Sequence, residues 1–441
     1  MKASAMSFLR PSSFVALATA TFLLAPSSEA QSTPPDDTVL GTVEVDGSGR
    51  GLPPLPKLGF EPVLSSGSSD FQSRLVMRRD FELSGQFDVL AVDKAPDTTV
   101  ARDAPIKRDA WKAAGAEYVV RSFADEKNGR VTIIAEGFFL SGPARTDGKA
   151  DLRMTTEAPI ADVRMATHRL VDQVLGGLTG RPGGFASRLT YTAKLGKWRR
   201  AFVVDSDGFE VHPESPADAL VISPTFGNKN QLYYALSTNY SPFRIAYGPE
   251  GKPFPLPFQG NALGIAFSPE RDKIALTVMR DGKSFFYLGD GSGLKEKPAG
   301  AQANHPTFGP LGKLAYVGGA PTQRVYVDDK PMSPGGFNAA APTFCDAPQG
   351  LFVLYSVGIR GGDDIVASDA KGGGLRRLTQ RKGSNTYPAC SPDGRLVAFF
   401  ATQGKEGPGL YLMPFDRPWL AKRIANEVGE SLQWAKIIPE K

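Results

Sequence analysis

The sequence predicts a multidomain α+β protein, with an N-terminal α/β domain followed by a six-bladed β-propeller. Three observations support this fold class. Helical and strand-like patterns of apolar residues alternate from about residue 55 to 190. Beyond residue 190 no amphipathic helix recurs, and one strand-and-turn motif is repeated six times instead. The 48 Gly and 36 Pro residues supply many turns, yet remain below the share typical of disordered chains.

Residues 1 to 30 have the features of a secretory signal peptide. Lys2 and Arg10 are followed by an apolar stretch from Phe14 to Ala25, and Ser28-Glu29-Ala30 supplies the small residues of a cleavage site. The apolar stretch is too short to cross a bilayer, so we expect cleavage before Gln31, with an uncleaved anchor as the alternative. We therefore expect a periplasmic protein without direct membrane insertion.

Residues 31 to 52 are predicted to be a flexible segment, because they are rich in Pro, Gly, Asp and Ser. A single alternating run, VLGTVEV, extends from Val39 through Val43 to Val45. Such alternation predicts a strand that forms only when it finds a partner strand.

The α/β domain is expected over residues 53 to 190. Strands are predicted at residues 57–64, 87–92, 116–120 and 131–140, and helices at residues 70–83, 108–114 and 162–179. In the first helix, Phe71, Leu75 and Val76 lie at helical spacing. In the last helix, Asp162 is predicted as the N-cap and Gly180 ends the helix.

The propeller is expected over residues 191 to 441, where an anchor residue recurs at spacings of 41, 41, 36, 46 and 44. The six anchors are Phe226, Phe267, Phe308, Phe344, Cys390 and Trp434. A repeat of 40 to 45 residues holds the four strands of a propeller blade, so six anchors predict six blades with the anchors in the core. Residues 197 to 211 are expected to begin the ring, and one strand completes the blade that contains Trp434.

Few residues offer acid–base or metal chemistry. His168 is expected to pack or cap within a helix, and His212 is expected in a turn. There is no G-x-S-x-G or H-E-x-x-H motif and no close pair of cysteines. Asp205-Ser206-Asp207-Gly208 resembles the start of a calcium loop, but we interpret it as a hairpin turn, with a cation site as the alternative. We therefore predict no cofactor and no metal.

The mature chain contains two cysteines, Cys345 and Cys390. The sequence does not place their Cα atoms within the roughly 7 Å that a disulfide requires. We expect two buried free thiols, with a disulfide as the alternative.

Charge and composition exclude one class of function and leave another open. The net charge is only +5 and no Lys/Arg block is interleaved with aromatic residues, so no nucleic-acid binding is expected.

A secreted propeller enzyme acting on envelope glycans or peptides would need converging carboxylates. Asp328-Asp329 and Asp363-Asp364 are available, but consecutive strand residues point to opposite faces. A scaffold that binds some other protein is a third possibility.

Four stretches resemble the TolB family of the Tol-Pal cell-envelope system. They are RDFELSGQF at residues 79–87, WKAAGAEYVVR at 111–121, HRLVDQVLGGLTGRPGGF at 168–185, and the propeller repeats that end in YPACSPDGRLVAFF. The pattern LTG-x-x-G-x-F is the most specific of them. The resemblance covers about residues 39 to 436. It implies a non-enzymatic adaptor that supports outer-membrane integrity and constriction during cell division, and we expect a monomer.

The resemblance also implies two partners. The propeller of the family docks Pal, the peptidoglycan-associated lipoprotein, through loops that lead into the first strand of several blades. Offsets from the anchors place these positions at Asn261, Leu263, Asn304, His305, Asn385, Thr386 and Tyr387. The alternative for these positions is rim packing or a turn. The mature N-terminal segment, here with Val39, Val43 and Val45, engages TolA.

Overall fold

The computed structural model describes residues 51–437, apart from residues 66, 144, 146–147, 258–259, 271, 291–292, 298–302 and 381–382. The predicted signal peptide and the run from Val39 to Val45 lie outside the described residues.

A five-stranded mixed sheet forms the first part of the fold. Its strands are β1 (Lys57–Phe60), β2 (Asp88–Val89), β3 (Tyr118–Lys127), β4 (Arg130–Phe139) and β5 (Leu152–Pro159). Their order in the sheet is β2-β1-β3-β4-β5. Strand β1 is parallel to β2 and β3, whereas β3, β4 and β5 are antiparallel. Strand β5 was not predicted, because its packed side carries only Leu152, Met154, Thr156 and Ala158, which form a weak apolar pattern.

Three helices accompany this sheet. They are α1 (Ser68–Leu83), α2 (Arg108–Ala113) and α3 (Val163–Thr179). In α1 the side chains of Val76 and Phe81 are buried, but Phe71 and Leu75 are 58% and 54% exposed, so helical spacing did not identify the buried face. Helix α3 ends at Gly180, as predicted, with a left-handed φ of 79°. In the part of the chain that the structure describes, no helix is both long enough and apolar enough to span a membrane.

The second part of the fold consists almost entirely of short antiparallel strands. In chain order they are β6 (Arg188–Leu195), β7 (Trp198–Asp205), β8 (His212–Pro213), β9 (Leu220–Phe226), β10 (Leu232–Ser237), β11 (Arg244–Tyr247), β12 (Lys252–Pro253), β13 (Asn261–Phe267), β14 (Lys273–Arg280), β15 (Lys283–Asp290), β16 (Gly293–Lys297), β17 (Asn304–Phe308), β18 (Leu314–Gly318), β19 (Arg324–Val327), β20 (Lys330–Pro331), β21 (Ala339–Ala347), β22 (Gly350–Ile359), β23 (Gly362–Asp369), β24 (Arg376–Arg377), β25 (Asn385–Cys390), β26 (Leu396–Ala401), β27 (Gly409–Pro414), β28 (Lys422–Ala425) and β29 (Glu430–Trp434).

These strands form four-stranded units. Strands β13–β16, β17–β20, β21–β24 and β25–β28 make four separate sheets. The remaining strands form one eight-stranded sheet, in which β9–β12 and the group β29-β6-β7-β8 are joined by a single parallel pair, Arg199 and Leu220. Strand β29 pairs with β6, and Trp434 lies opposite Leu189. Strand β6, which pairs with the C-terminal strand β29, begins at Arg188. The strand region therefore starts before residue 191, where the propeller was expected to begin. His212, expected in a turn, lies in β8.

The first strands of the units contact one another in sequence. Strand β9 contacts β13, followed by the pairs β13 and β17, β17 and β21, β21 and β25, β25 and β29, and finally β29 and β9. The largest cluster of buried apolar residues continues from the α/β domain into two units, joining Phe81 and Leu170 to Phe400 in β26 and to Tyr191 in β6. The two parts of the fold therefore share a core.

The cysteines form a disulfide, which corrects the expectation of two free thiols. Cys345 at the end of β21 and Cys390 at the end of β25 have Cα atoms 5.3 Å apart. The two cysteines lie close together because the consecutive first strands β21 and β25 contact each other. Sequence spacing alone does not reveal this contact.

The anchor residues also differ from the expectation that they would be core. All six are half-buried, and their side chains line a cavity at the end of the first strands. Phe344 packs closely on the backbone of the preceding unit, since a Cβ atom at Gly309 would lie 2.4 Å from its ring. Phe267 is placed similarly, at 3.1 Å from a Cβ atom at Gly227.

Candidate functional site

Each first strand is interrupted by a β-bulge at the same point. The ladder register shifts within β9, β13, β17, β21, β25 and β29. Five of the bulges contain a non-glycine residue with a left-handed φ, namely Ser223, His305, Ala341, Tyr387 and Ser431. In four of them the next residue is proline, which has no N–H to leave unpaired where the ladder breaks.

The bulges surround a narrow cavity of about 230 Å³, to which all six first strands contribute. Four of the predicted partner-binding residues line this narrow cavity: Leu263, Asn304, His305 and Tyr387. Its walls are largely apolar, with contributions from Ile222, Ile265, Leu432 and the bulge prolines.

Two buried polar atoms at the narrow cavity have no hydrogen-bond partner among the described residues. They are Thr277 Oγ1 and Asn304 Oδ1. The lining of the narrow cavity is therefore apolar with a few polar residues, which suits an apolar side chain of a partner.

His305 in the bulge of β17 and Tyr387 in the bulge of β25 both line this cavity. Desolvation lowers the pKa of His305. Burial raises the pKa of the Tyr387 phenol. An imidazole and a phenol can each take part in hydrogen bonds to a partner.

The other three residues predicted to bind this partner make contacts elsewhere. Asn385 is fully buried, and its Nδ2 donates to the Asp363 carbonyl oxygen at 3.2 Å and to Asp364 Oδ1 at 3.1 Å. Asn261 Oδ1 accepts from the Phe243 N–H at 2.7 Å, and Thr386 pairs with Phe400 in the ladder. Asn261 and Asn385 link neighbouring units, and none of the three lines the narrow cavity.

A wide cavity of about 550 Å³ lies at the anchor end of the first strands. The six anchors line it, together with Arg181, Pro182 and Gly183 from the linker between α3 and β6. It shares Thr225, Pro306 and Gln433 with the narrow cavity.

A buried charged cluster, the junction cluster, joins the two parts of the fold. It consists of Asp80, Arg164, His168, Asp205 and Asp207. His168 Nδ1 lies 2.6 Å from Asp80 Oδ2, and both side chains are fully buried. His168 Nε2 lies 4.0 Å from Asp205 Oδ2. His168 was expected to pack or cap within the helix, but it is an ion-pair partner of Asp80.

The turn after β7 presents two carboxylates to this cluster. The Gly208 N–H donates to the Asp205 carbonyl at 2.8 Å, which closes the predicted hairpin turn. Arg164 Nη2 lies within 3 Å of both Asp207 carboxylate oxygens. Arg79 donates to the Asp207 carbonyl at 2.9 and 2.7 Å, and the Arg79 and Arg164 guanidiniums lie over the Phe209 ring.

The junction cluster has metal-ligand residue types, but its charges are already compensated. One ligand atom each of Asp80, His168 and Asp207 lies within 4.8 Å of the others. Burial disfavours the charged imidazole, yet Asp80, Asp207 and Asp205 together outweigh it and raise the pKa of His168 to about 9. The imidazolium and the two arginines therefore balance the carboxylates, and the arrangement is that of a buried salt-bridge network.

The carboxylate pairs considered for catalysis do not converge. Asp364 is buried and bonded to Arg377, Thr379 and Asn385. Asp328 and Asp329 lie between β19 and β20, where Asp328 accepts from the Leu314 N–H and Asp329 accepts from Tyr316. Neither pair lines the narrow or the wide cavity.

Residues 56–136 match the family described as the TolB amino-terminal domain. The Tol-Pal system protein TolB of Sphingopyxis alaskensis is 28% identical over 200 residues, which cover 44% of this chain and 43% of that protein. The Tol-Pal system protein TolB of Myxococcus xanthus is 28% identical over 176 residues, 38% of each chain. The matched part thus spans less than half the length of these relatives.

Among solved structures, the crystal structure of TolB from Acinetobacter baumannii resembles the chain with a TM-score of 0.65 and 19% identity. The match covers 87% of this chain and 98% of that one, so the two proteins share their fold over most of this chain. The resemblance to the TolB family, first carried by sequence motifs, is therefore confirmed by the amino-terminal domain, by relatives named as Tol-Pal system proteins and by the fold.

Proposed function

We propose that this protein is a periplasmic, monomeric and non-catalytic adaptor of a Tol-Pal system. In this proposal its six four-stranded units close into a six-bladed propeller. The cyclic contacts between first strands support closure, as does the pairing of β29 with β6, which joins the end of the repeat region to its beginning.

The narrow-cavity end of the propeller docks a Pal-like peptidoglycan-associated lipoprotein. One observation carries this assignment: four of the positions that offsets from the anchors predicted for partner binding, Leu263, Asn304, His305 and Tyr387, line one cavity. Apolar walls with a few polar groups are the usual lining of a binding site. Asn385 and Asn261 have a positioning role here, because they hold the strands that carry the contact residues.

The N-terminal segment of residues 31–52 binds a TolA-like protein. The alternation of Val39, Val43 and Val45 supports this, because an extended segment can add a strand to the sheet edge of a partner. Through the two contacts the protein would support outer-membrane integrity and constriction during cell division.

A secreted propeller enzyme is the competing function. The positions of Asp328, Asp329, Asp363 and Asp364 favour the adaptor, because a glycan hydrolase needs two carboxyl groups facing one substrate within about 5 to 10 Å. These four carboxylates lie away from both cavities.

The Pal assignment is tested by measuring the Kd for the peptidoglycan-associated lipoprotein of the same cell. We expect His305→Glu and Leu263→Glu each to weaken binding by roughly tenfold or more, because each places a charge in an apolar cavity. Leu311→Glu is the matched control, since Leu311 is 91% exposed and lies beside the wide-cavity end. Unchanged affinity in both cavity variants would mean that the face is wrongly assigned.

The TolA assignment is tested by deleting residues 31–50. The truncated chain should lose capture of the TolA C-terminal domain and keep its affinity for the lipoprotein. Retained TolA capture would reject this part of the proposal.

A further inference from the structure

An exposed aromatic residue stands at the tip of the hairpin between β10 and β11. The side chain of Tyr240 is 88% exposed, whereas Phe71 and Phe209 are 58% and 51% exposed. A ring that the folded chain leaves uncovered gains little stability from burial. A single exposed ring is ordinary in a folded protein, but the backbone beneath this one is not.

The turn that carries Tyr240 has a backbone conformation that favours glycine. The Ser241 N–H donates to the Thr238 carbonyl at 2.9 Å, and the two central residues, Asn239 and Tyr240, have left-handed φ values of 50° and 57°. Turns with positive φ at both central residues prefer Asn-Gly or Asp-Gly, because a Cβ atom strains the second position. Tyr240 occupies that second position while its ring stays exposed.

Two other turns of the chain follow the glycine preference. Asn128 and Gly129 join β3 to β4 with φ of 53° and 74°, and Asp281 and Gly282 join β14 to β15 with φ of 52° and 72°. The turn between β14 and β15 is the equivalent, in the next four-stranded unit, of the turn that carries Tyr240. A strained residue that gains nothing from packing points to a role outside the fold.

The hairpin lies at the end of the first strands that holds the narrow cavity. Ser237, the last residue of β10, pairs with Leu220, the first residue of β9. Three residues further along β9, the bulge residue Ser223 lines the narrow cavity. Ser237 Oγ also donates to the Ser241 carbonyl at 2.6 Å, which holds the two sides of the turn together.

Two hydrogen bonds fix the hairpin to the next first strand, β13. The Phe243 N–H donates to Asn261 Oδ1 at 2.7 Å, and the Phe243 carbonyl accepts from the Ala262 N–H at 2.8 Å. The next residue, Leu263, lines the narrow cavity. Tyr240 is therefore held beside the strand that leads into this cavity, and a hairpin fixed in advance loses little freedom when it binds a partner.

We propose that Tyr240 is a binding hot spot for the same Pal-like lipoprotein that the narrow cavity is proposed to dock. The inference rests on that proposed function. The lipoprotein covers the narrow cavity and the tip of the hairpin together, and the Tyr240 ring packs against an apolar patch of the partner. Tyrosine suits this position, because its ring brings a large contact area and a hydroxyl at a small cost in conformational entropy.

Tyr240→Gly tests the proposal, because it removes the ring and supplies the residue that the turn prefers. In the full chain we expect the Kd for the lipoprotein to rise by roughly tenfold or more, and the Tm to equal or exceed that of wild type. Leu311→Gly is the matched control and should leave the Kd unchanged. Leu311 is 91% exposed and has a left-handed φ of 60°, but it lies beside the wide-cavity end.

The outcomes separate this inference from the proposed function. An unchanged Kd in Tyr240→Gly, with weaker binding in His305→Glu, would overturn the inference and leave the docking face in place. An equal loss of affinity in Leu311→Gly, or a Tm several degrees below wild type in Tyr240→Gly, would also overturn it. Weaker binding in Tyr240→Gly alone would support the hairpin contact and reject docking at the cavity. A wild-type chain that does not bind the lipoprotein would reject both.

Discussion

Arg164 on α3 holds Asp207 across the boundary between the two parts of the fold. Its Nη2 atom lies 2.9 Å from Oδ1 and 2.8 Å from Oδ2 of a carboxylate that is 0% exposed. Because Asp207 belongs to the turn after β7, this ion pair ties the helical side of the α/β domain to the first hairpin of the strand region. The orientation of the two parts therefore depends on buried charge as well as on the shared apolar core.

Removing the Asp207 carboxylate should be strongly destabilising. Asp207→Ala removes the two shortest contacts of the buried Arg164 guanidinium and leaves it only Asp205 at 3.4 Å and Glu210 at 3.9 Å, so we expect a loss of about 3 kcal/mol in the free energy of unfolding. Urea denaturation measures this loss. Glu430→Ala, which breaks the more exposed pair with Arg199, is the control and should cost about 0 to 1 kcal/mol. Equal losses in the two variants would contradict a special role for the buried pair.

Stability should fall with rising pH because of His168. Burial lowers the pKa of His168, but the carboxylates of Asp80, Asp207 and Asp205 together outweigh it and raise this pKa from 6.5 to about 9 in the folded state. The imidazolium therefore contributes stability that is complete below about pH 6.5 and is lost as pH rises through about 9. Burial raises the pKa of Asp172 to about 7, which also favours the folded state as pH falls.

This pH dependence is checked by urea denaturation between pH 6 and 10 in wild type and His168→Gln. The variant should be less stable at pH 6.5 and should show a flatter slope between pH 7 and 9. A parallel slope in the two proteins would place the titrating group elsewhere.

Gly208 should be intolerant of a side chain. It has a φ of 89°, and a Cβ atom there would lie 2.2 Å from the Ile424 carbonyl oxygen, which is backbone and cannot move aside easily. We expect Gly208→Ala to cost well above the roughly 1 kcal/mol of the left-handed conformation alone. Gly196→Ala is a matched control, since Gly196 has a φ of 62° and open space around it. Thermal unfolding of both variants should show the larger decrease in Tm for Gly208→Ala.

The indole of Trp111 should stabilise the fold through its hydrogen bond as well as through the volume that it fills. Its Nε1 donates to Glu61 Oε2 at 2.6 Å, and burial raises the pKa of Glu61 while this hydrogen bond opposes the shift. Trp111→Phe removes the donor, and we expect a loss of about 1 to 3 kcal/mol in chemical denaturation. Adding Glu61→Gln should recover part of the loss, because the uncompensated carboxylate is then gone. No recovery would attribute the loss to packing alone.

The repeat spacing and the residues that begin and end helices were sufficient to predict the main strands and helices. The anchor motifs fall on the first strands of the four-stranded units, and Gly180 ends α3 as its residue type predicts. Local patterns predict such features because turn geometry and apolar periodicity act over a few residues. Strand β5 and the exposure of Phe71 and Leu75 were not predictable in this way, since they depend on which faces the rest of the domain covers.

The sequence by itself determined the two-part organisation, the strand-rich repeats and the resemblance to the TolB family. The tertiary structure alone decided that Asp80, His168 and Asp207 meet, that Cys345 bonds to Cys390, and that four of the predicted contact residues share one cavity. The physical reason is that buried ion pairs, disulfides and cavities arise between segments far apart in the chain. Their formation depends on three-dimensional packing, which local residue patterns do not encode.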